Sequence, residues 1–289
     1  MITLDAALLA TIPLPAHDGE VDKDARGRVL VVGGSVGVPG GALLAGVAAL
    51  RAGAGKLQIA TVRSAAMMLA LAVPEALVIG LDETRKGGIA KSAARTLRSY
   101  VSRCDTLLIG PGMSAGKQCR ALVAALIEHE CAASLVLDAG ALDCVHEALR
   151  LRSGQAILTP HAGEMATLLG ISRDEVQANP ETVARDAAAR VDGIVVLKGS
   201  TTLVATPGGE LYRYQGGGVG LATSGSGDTL AGIVAGLAAR GCEPLTAAVW
   251  GVFLHGEAGQ RLAKSHGRVG FLARELLAEV PRVMAEHER

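Results

Sequence analysis

Aromatic side chains are scarce: Trp, Tyr and Phe make up 2% of the 289 residues, with one Trp, three Tyr and two Phe. A chain so poor in flat rings does not build the base-stacking platforms of single-strand nucleic-acid binding. An excess of either charge is lacking too, since 28 Lys+Arg balance 28 Asp+Glu and no basic cluster stands out. That balance leaves no electrostatic footprint for nucleic acid. The five cysteines (Cys104, Cys119, Cys131, Cys144 and Cys242) contain no CxxC pair. Their spacing fits neither a zinc ribbon nor a disulfide framework, which points to reduced thiols and a cytoplasmic setting.

Metal-ligand spacing is equally absent. His17, His129, His146, His255, His266 and His287 are scattered, and there is no HExxH, GxSxG or Cys/His/Asn arrangement. No metal held by protein side chains is expected. The start, Met1-Ile2-Thr3-Leu4-Asp5, has no basic n-region of a secretory signal. Val29 to Leu50 is a 22-residue run without a charge, long enough to span a bilayer. Its six glycines and Pro39 group the breakers at Gly33–Gly41, dividing it into a strand, a loop and an apolar helix. No membrane span is expected.

What is present in quantity is glycine, 38 residues, within a chain that is 49% hydrophobic. Tight strand-to-helix turns and a large core are the natural use of such a composition. Strand-like runs alternate with helical ones. Strands are expected at Arg28–Val32, Lys56–Thr61, Leu77–Ile79, Thr106–Ile109, Ser134–Asp138, Ala156–Thr159 and Ile194–Lys198. Thr201–Ala205 and Glu210–Tyr214, separated by Pro207-Gly208-Gly209, read as an antiparallel hairpin. Helices are expected at Gly41–Ala52, Ile89–Val101, Lys117–His129, Gly225–Arg240, Pro244–Lys264 and Val269–His287, and Met67-Met68 read as a helix packing face. Strands that are continuous Val/Ile/Leu runs belong to sheets covered on both faces. The expected fold is therefore α/β, doubly wound, with a mostly parallel central sheet and helices on both faces. With no linker, charge run or repeat to mark a boundary, a single domain over 1–289 is expected.

In such sheets ligands sit beyond the carboxyl ends of the strands. Gly217-Gly218-Val219-Gly220-Leu221-Ala222-Thr223-Ser224-Gly225-Ser226-Gly227-Asp228 leads into an apolar helix. Converging amides of Gly225, Ser226 and Gly227, with the helix dipole, would form an anion hole for a phosphate in transfer. Asp228 stands where a base could take a proton from an attacking hydroxyl. The plainer alternative is that Asp228 or Ser226 caps the helix. Lys198-Gly199-Ser200-Thr201-Thr202 ends another strand, where the lysine either pairs with a nucleotide phosphate or is a solvated residue beside a turn. Thr159-Pro160-His161-Ala162-Gly163-Glu164 starts a helix, with His161 and Glu164 either capping it or facing a polar substrate. Gly110-Pro111-Gly112 and Asp138-Ala139-Gly140 also end strands and let a ligand approach the backbone. The Gly33–Gly41 loop spells no GxGxxG with its acidic partner, and no Walker lysine follows, which disfavours a dinucleotide-binding dehydrogenase.

Together these strand ends resemble the ribokinase-like superfamily. More narrowly, the chain resembles the ADP-dependent (S)-NAD(P)H-hydrate dehydratase family in residues 27–55, 109–112, 137–142, 159–164, 198–202 and 223–241. The resemblance implies repair of hydrated NADH or NADPH. ADP, or ATP in some members, phosphorylates the C6 hydroxyl, and phosphate then leaves to regenerate the reduced cofactor, with AMP as the other product. It implies Asp228 as base, with the amides of Gly225, Ser226 and Gly227 stabilising charge. Lys198, Gly199, Ser200, Thr201, Thr202 and Gly227 would contact ADP, and Ala42, Gly112, His161 and Asp228 the hydrate. Mg²⁺ would arrive with the nucleotide. The resemblance also implies a homotetramer. Only about 25 residues precede the first long strand, too few for the epimerase domain of many relatives, so a separate epimerase is expected. A small-molecule kinase of the same fold and a non-catalytic nucleotide sensor are the competing readings.

Overall fold

Runs of Val, Ile and Leu with no polar alternation are stable only where both faces of a strand are covered. In this computed structural model, which describes residues 1–16, 22–128, 133–144 and 154–288, such runs form the middle of one ten-stranded sheet. Its strands are β1 (Ile2–Thr3), β2 (Arg28–Val32), β3 (Lys56–Val62), β4 (Ala76–Leu81), β5 (Thr106–Ile109) and β6 (Ser134–Leu137), then β7 (Ala156–Leu158), β8 (Ile194–Leu197), β9 (Thr202–Ala205) and β10 (Leu211–Tyr214). Their order is β1-β10-β9-β8-β7-β6-β5-β2-β3-β4. The seven strands from β8 to β4 are mutually parallel, while β9 runs antiparallel to both β8 and β10 as the expected hairpin.

The chain order reverses between β2 and β5. From β2 the sheet grows one way to β3 and β4, and from β5 the other way to β6, β7 and β8. Right-handed crossovers in opposite directions place the connecting helices on opposite faces. The helices are α1 (Ala6–Leu9), α2 (Gly40–Arg51), α3 (Arg63–Ala72), α4 (Ala93–Val101), α5 (Lys117–Ile127) and α6 (Ala162–Leu169), then α7 (Arg173–Ala178), α8 (Pro180–Val191), α9 (Ser226–Ala239), α10 (Pro244–His266) and α11 (Ala273–His287). Helices α2, α9, α10 and α11 pack together on one side, whereas α8 lies against β8 and β9. The uncharged run Val29–Leu50 resolves into β2, a glycine loop and α2, and no described helix is long and apolar enough to cross a membrane.

Several boundaries depart from the sequence reading. Helix α4 begins only at Ala93, because Ile89 pairs with Glu83 in an antiparallel bridge. The last helix starts at Ala273, not Val269. Neither the short β1 and α1 nor α7 and α8 were expected. Met67 and Met68 do lie on a helix, α3, but they are exposed to 71% and 61% and stand outside the buried core of the described residues. Cys104, Cys119 and Cys242 are buried thiols. Cys131, the Cys144 side chain, His17, His129 and His146 lie outside the described residues.

Candidate active site

The glycine-rich segment after β10 delivers the start of α9 to the carboxyl end of the sheet. Gly225 takes φ +88° there, a left-handed turn that favours glycine, and a Cβ on it would lie 2.5 Å from Leu44 Cδ1. No side chain caps this helix. The Ser226 N–H donates to the Thr223 carbonyl at 3.2 Å, which leaves the amides of Gly227 and Asp228 for a ligand, and the dipole adds partial positive charge at the same point. The plain capping alternative is not what this geometry shows. Asp228 sits in the first turn without capping it, and the Ser226 hydroxyl is 2.9 Å from His255 Nε2 in a buried pair. Burial pushes the His255 imidazole down to about 4, so that it is neutral at physiological pH.

Asp228 is held by two other loops. A Cβ on Gly41 would lie 2.5 Å from Gly112 N and 3.0 Å from Asp228 Oδ1, so a bare α-carbon is needed for the three segments to meet. The Gly112 N–H donates to the Asp228 carboxylate. Burial, and then the neighbouring Asp138 carboxylate, raise its pKa to about 6, against the opposing pull of the Lys198 ammonium and the Gly112 amide. A carboxylate so placed is ionised at neutral pH yet basic enough to take a proton.

Lys198 follows β8 and reaches the same region: a Cβ on Gly227 would lie 3.2 Å from its Nζ. Its Nζ donates to Asp138 Oδ1 at 2.8 Å and lies 3.8 Å from Glu164 Oε2. Burial alone would lower the lysine pKa, but the Asp138 and Glu164 carboxylates outweigh it and hold the ammonium charged, above its ordinary value. Asp138 is itself fixed by the Thr159 hydroxyl at 2.7 Å. His161 is the N-cap of α6, its Nδ1 accepting from Gly163 N (3.0 Å) and Glu164 N (3.1 Å), while Glu164 Oε2 accepts from His161 N (2.8 Å). The capping reading of this motif is what the geometry shows, and the capping histidine also borders a cavity.

Two cavities are bordered by close neighbours of Asp228. The first, about 890 Å³, is bordered by His161, Lys198, Gly199, Ser200, Thr202, Ser226 and Gly227, with Tyr214, Val219, Leu221, Leu230 and Val252 as its apolar part. The second, about 640 Å³, lies between the loops after β2, β4 and β5 and is bordered by Gly34, Val38 and Met113 among others. It occupies the reversal point of the sheet, where open α/β sheets bind ligands. The Gly34 N–H bonds to the Pro111 carbonyl at 2.7 Å and ties the β2 and β5 loops together. Gly227 borders the first cavity, and Gly112, which donates to the Asp228 carboxylate, precedes Met113 of the second, so Asp228 lies between the two linings without belonging to either.

The residues singled out from sequence converge, with differences in detail. Lys198, Gly199, Ser200, Thr202, Ser226 and Gly227 share one cavity, and His161 lies on that cavity too. Gly225 and Thr201 flank its lining. Ala42 has no exposed surface, so its own atoms do not reach a ligand, and Gly40 is the exposed residue at the start of that helix. Asp138 and His255 were not chosen from the sequence as site side chains, and Glu164 was weighed beside His161 without being assigned a contact. Asp138 and Glu164 stood in view at a strand end and a helix start. For His255, inside α10, no local signal exists. Among the described residues no group of three or more His, Cys, Asp or Glu is arranged to hold a metal ion.

Comparison with known proteins agrees with this architecture. The family model described as NAD(P)H-hydrate dehydratase matches residues 29–282. A protein of Xanthomonas campestris named ADP-dependent (S)-NAD(P)H-hydrate dehydratase is 53% identical over 283 residues, which cover 98% of this chain and 96% of that one. The Bacillus subtilis ADP/ATP-dependent NAD(P)H-hydrate dehydratase, co-crystallised with ATP/Mg²⁺, aligns with a TM-score of 0.80 at 29% identity over 99% of both chains. A ribokinase-like superfamily protein from Enterococcus faecalis shares the fold, with a TM-score of 0.85 at 24% identity over 100% of this chain and 97% of that one.

Proposed function

The chain belongs to the NAD(P)H-hydrate dehydratase family, and from that premise we propose that it repairs hydrated nicotinamide cofactors, converting (S)-NADH- or NADPH-hydrate and ADP to the reduced cofactor, AMP and phosphate. The observation that carries the proposal is Asp228 in the first turn of an uncapped helix, between segments that border two cavities. One cavity then takes the nucleotide and the other the dinucleotide, and the reacting groups meet between them.

In this account Lys198, Gly199, Ser200, Thr201, Thr202 and Gly227 contact the ADP, with its adenine against Tyr214, Leu221 and Val252. Gly112 and the segment at Ala42 contact the hydrate, and His161 meets it from the rim of the nucleotide cavity that it borders. Hydroxide leaves poorly, so the C6 hydroxyl is first made a better leaving group. Asp228 takes its proton as the oxygen attacks the β-phosphate, and AMP departs. The amides of Gly225, Gly227 and Asp228 stabilise the charge on the phosphoryl oxygens, while the Ser226 N–H holds the turn through the Thr223 carbonyl. Lys198, kept charged by Asp138 and Glu164, adds a fixed cation beside them. Phosphate then leaves C6, pushed by the ring nitrogen, and loss of a proton from the adjacent ring carbon restores the conjugated ring. Asp138 Oδ1 is committed to Lys198 and Thr159, so Mg²⁺ would be carried on the nucleotide phosphates and not by a protein cage.

The same reading makes residues 1–289 one domain, and the protein cytoplasmic and homotetrameric. The exposed apolar residues Met67, Met68, Leu71 and Leu77, on α3 and the edge strand β4, support burial against further copies. The test is incubation of (S)-NADPH-hydrate with ADP and Mg²⁺ while absorbance of the reduced cofactor and free phosphate are followed together. Equal yields of the two are expected. A stable phosphoester with no gain in absorbance would instead identify a kinase.

A further inference from the structure

The loop between β4 and α4 forms a tight turn of its own. Thr84 N–H donates to the Gly88 carbonyl at 2.8 Å, Gly87 N–H to the Thr84 carbonyl at 2.9 Å, and Glu83 bridges Ile89. Arg85 and Lys86 occupy its tip. The Val36 N–H, from the glycine loop after β2, donates to the Gly87 carbonyl at 2.8 Å and anchors that tip beside the reversal point of the sheet. Lys117, the first residue of α5, borders the same second cavity.

The lining of that cavity thus holds three cationic side chains, Arg85, Lys86 and Lys117, and not one Asp or Glu. None of the three has an ion-pair partner among the described residues, although nearby Arg63 pairs with Asp82 at 3.0 Å and Arg120 with Asp143 at 2.6 Å. Like charges gathered without counter-ions repel one another, and an anion in the cavity relieves that repulsion. Guanidinium and ammonium groups together suit phosphate oxygens. The first cavity has a different character, with Lys198 as the one Lys or Arg of its lining and that lysine already matched to Asp138.

We infer that Arg85, Lys86 and Lys117 form a phosphate-binding wall for the dinucleotide in the second cavity; the inference rests on assigning that cavity to the hydrated cofactor. A dinucleotide offers two sources of phosphate, the pyrophosphate bridge common to both cofactors and the 2′-phosphate present only in the NADP form. Both engage the same cations, and the variants separate them.

Equilibrium titration of the full chain with NADPH and with NADH, read by nicotinamide fluorescence, tests this, with AMP as the control ligand. The Arg85→Ala/Lys86→Ala pair, on an exposed turn, should weaken dinucleotide binding about tenfold or more, as expected for lost charge-assisted contacts. Lys117→Ala should weaken it several-fold, and the charge-conserving Arg85→Lys should retain most of the affinity. Equal losses for NADH and NADPH assign the wall to the pyrophosphate, and a loss confined to NADPH assigns it to the 2′-phosphate. Wild-type affinity for both dinucleotides in the paired and Lys117 variants overturns the inference, while turnover of hydrate by the same preparations would leave the proposed activity standing. A wild-type protein that converts no hydrate, yet binds NADPH through Arg85 and Lys86, would remove the activity and keep the wall.

Discussion

Asp228 concentrates the chemistry in one side chain, and its environment sets two measurable consequences. Its folded-state pKa, about 6, is above the ordinary 3.8, so the native state binds the proton more tightly than the unfolded chain. Stability from this group therefore falls as pH rises between those two values. Asp228→Asn, which cannot ionise, should be more stable than wild type at pH 8 by about 2 kcal/mol, with the gain gone below about pH 4. Denaturant unfolding at both pH values checks this. The same substitution should lower turnover by roughly 10²–10⁴-fold, the usual worth of a general base. In the wild type, kcat/KM for the hydrate should decline below about pH 6 as the base protonates. His255, neutral down to about 4, is not the source of that decline. A variant more stable and nearly inactive is the signature of a charge kept in an unfavourable place for its reactivity.

At the scale of elements, the site depends on how closely α9 can approach α2. A Cβ on Gly232 would lie 2.2 Å from the Ala45 carbonyl oxygen, and one on Gly236 2.4 Å from that of Ala49. Backbone atoms cannot rotate out of the way as side chains can. Gly232→Ala should therefore cost roughly 3 kcal/mol, seen as a lower denaturant midpoint at unchanged slope. Much of this level was legible in the residues. β2, β5 and β8 announce themselves as unbroken Val/Leu/Ile runs, and the Pro207-Gly208-Gly209 turn marks the β9–β10 hairpin. The start of α4 was misplaced because apolar periodicity continues through Ile89, whose pairing with Glu83 is set by the turn at Gly87-Gly88. Met67 and Met68 were misassigned for a related reason: hydrophobicity identifies a face to be covered without saying whether this chain covers it.

At the scale of the whole molecule, strand order was illegible. Parallel strands carry no local pairing signal, so nothing in residues 28–32 says that β2 lies between β3 and β5. The reversal there brings together loops from residues 33–41, 82–91 and 110–116, and with them the second cavity. The candidate site was accordingly half readable. Asp228, Lys198 and His161 ended predicted strands or opened predicted helices, whereas His255 and the Arg85-Lys86 turn reach the cavities only through tertiary packing. The exposed apolar side chains of α3 and β4 give a further expectation. Light scattering should report four chains per particle, and Met67→Glu with Leu71→Glu should dissociate it if that face is the interface.

The central claim is that the hydroxyl oxygen departs as phosphate, and an isotope label on that oxygen tests it most directly. Hydrate prepared with heavy oxygen at C6 is turned over with unlabelled ADP, and phosphate and water are analysed by mass. Label recovered in inorganic phosphate is the predicted result. Label recovered in water, with none in phosphate, would contradict the account.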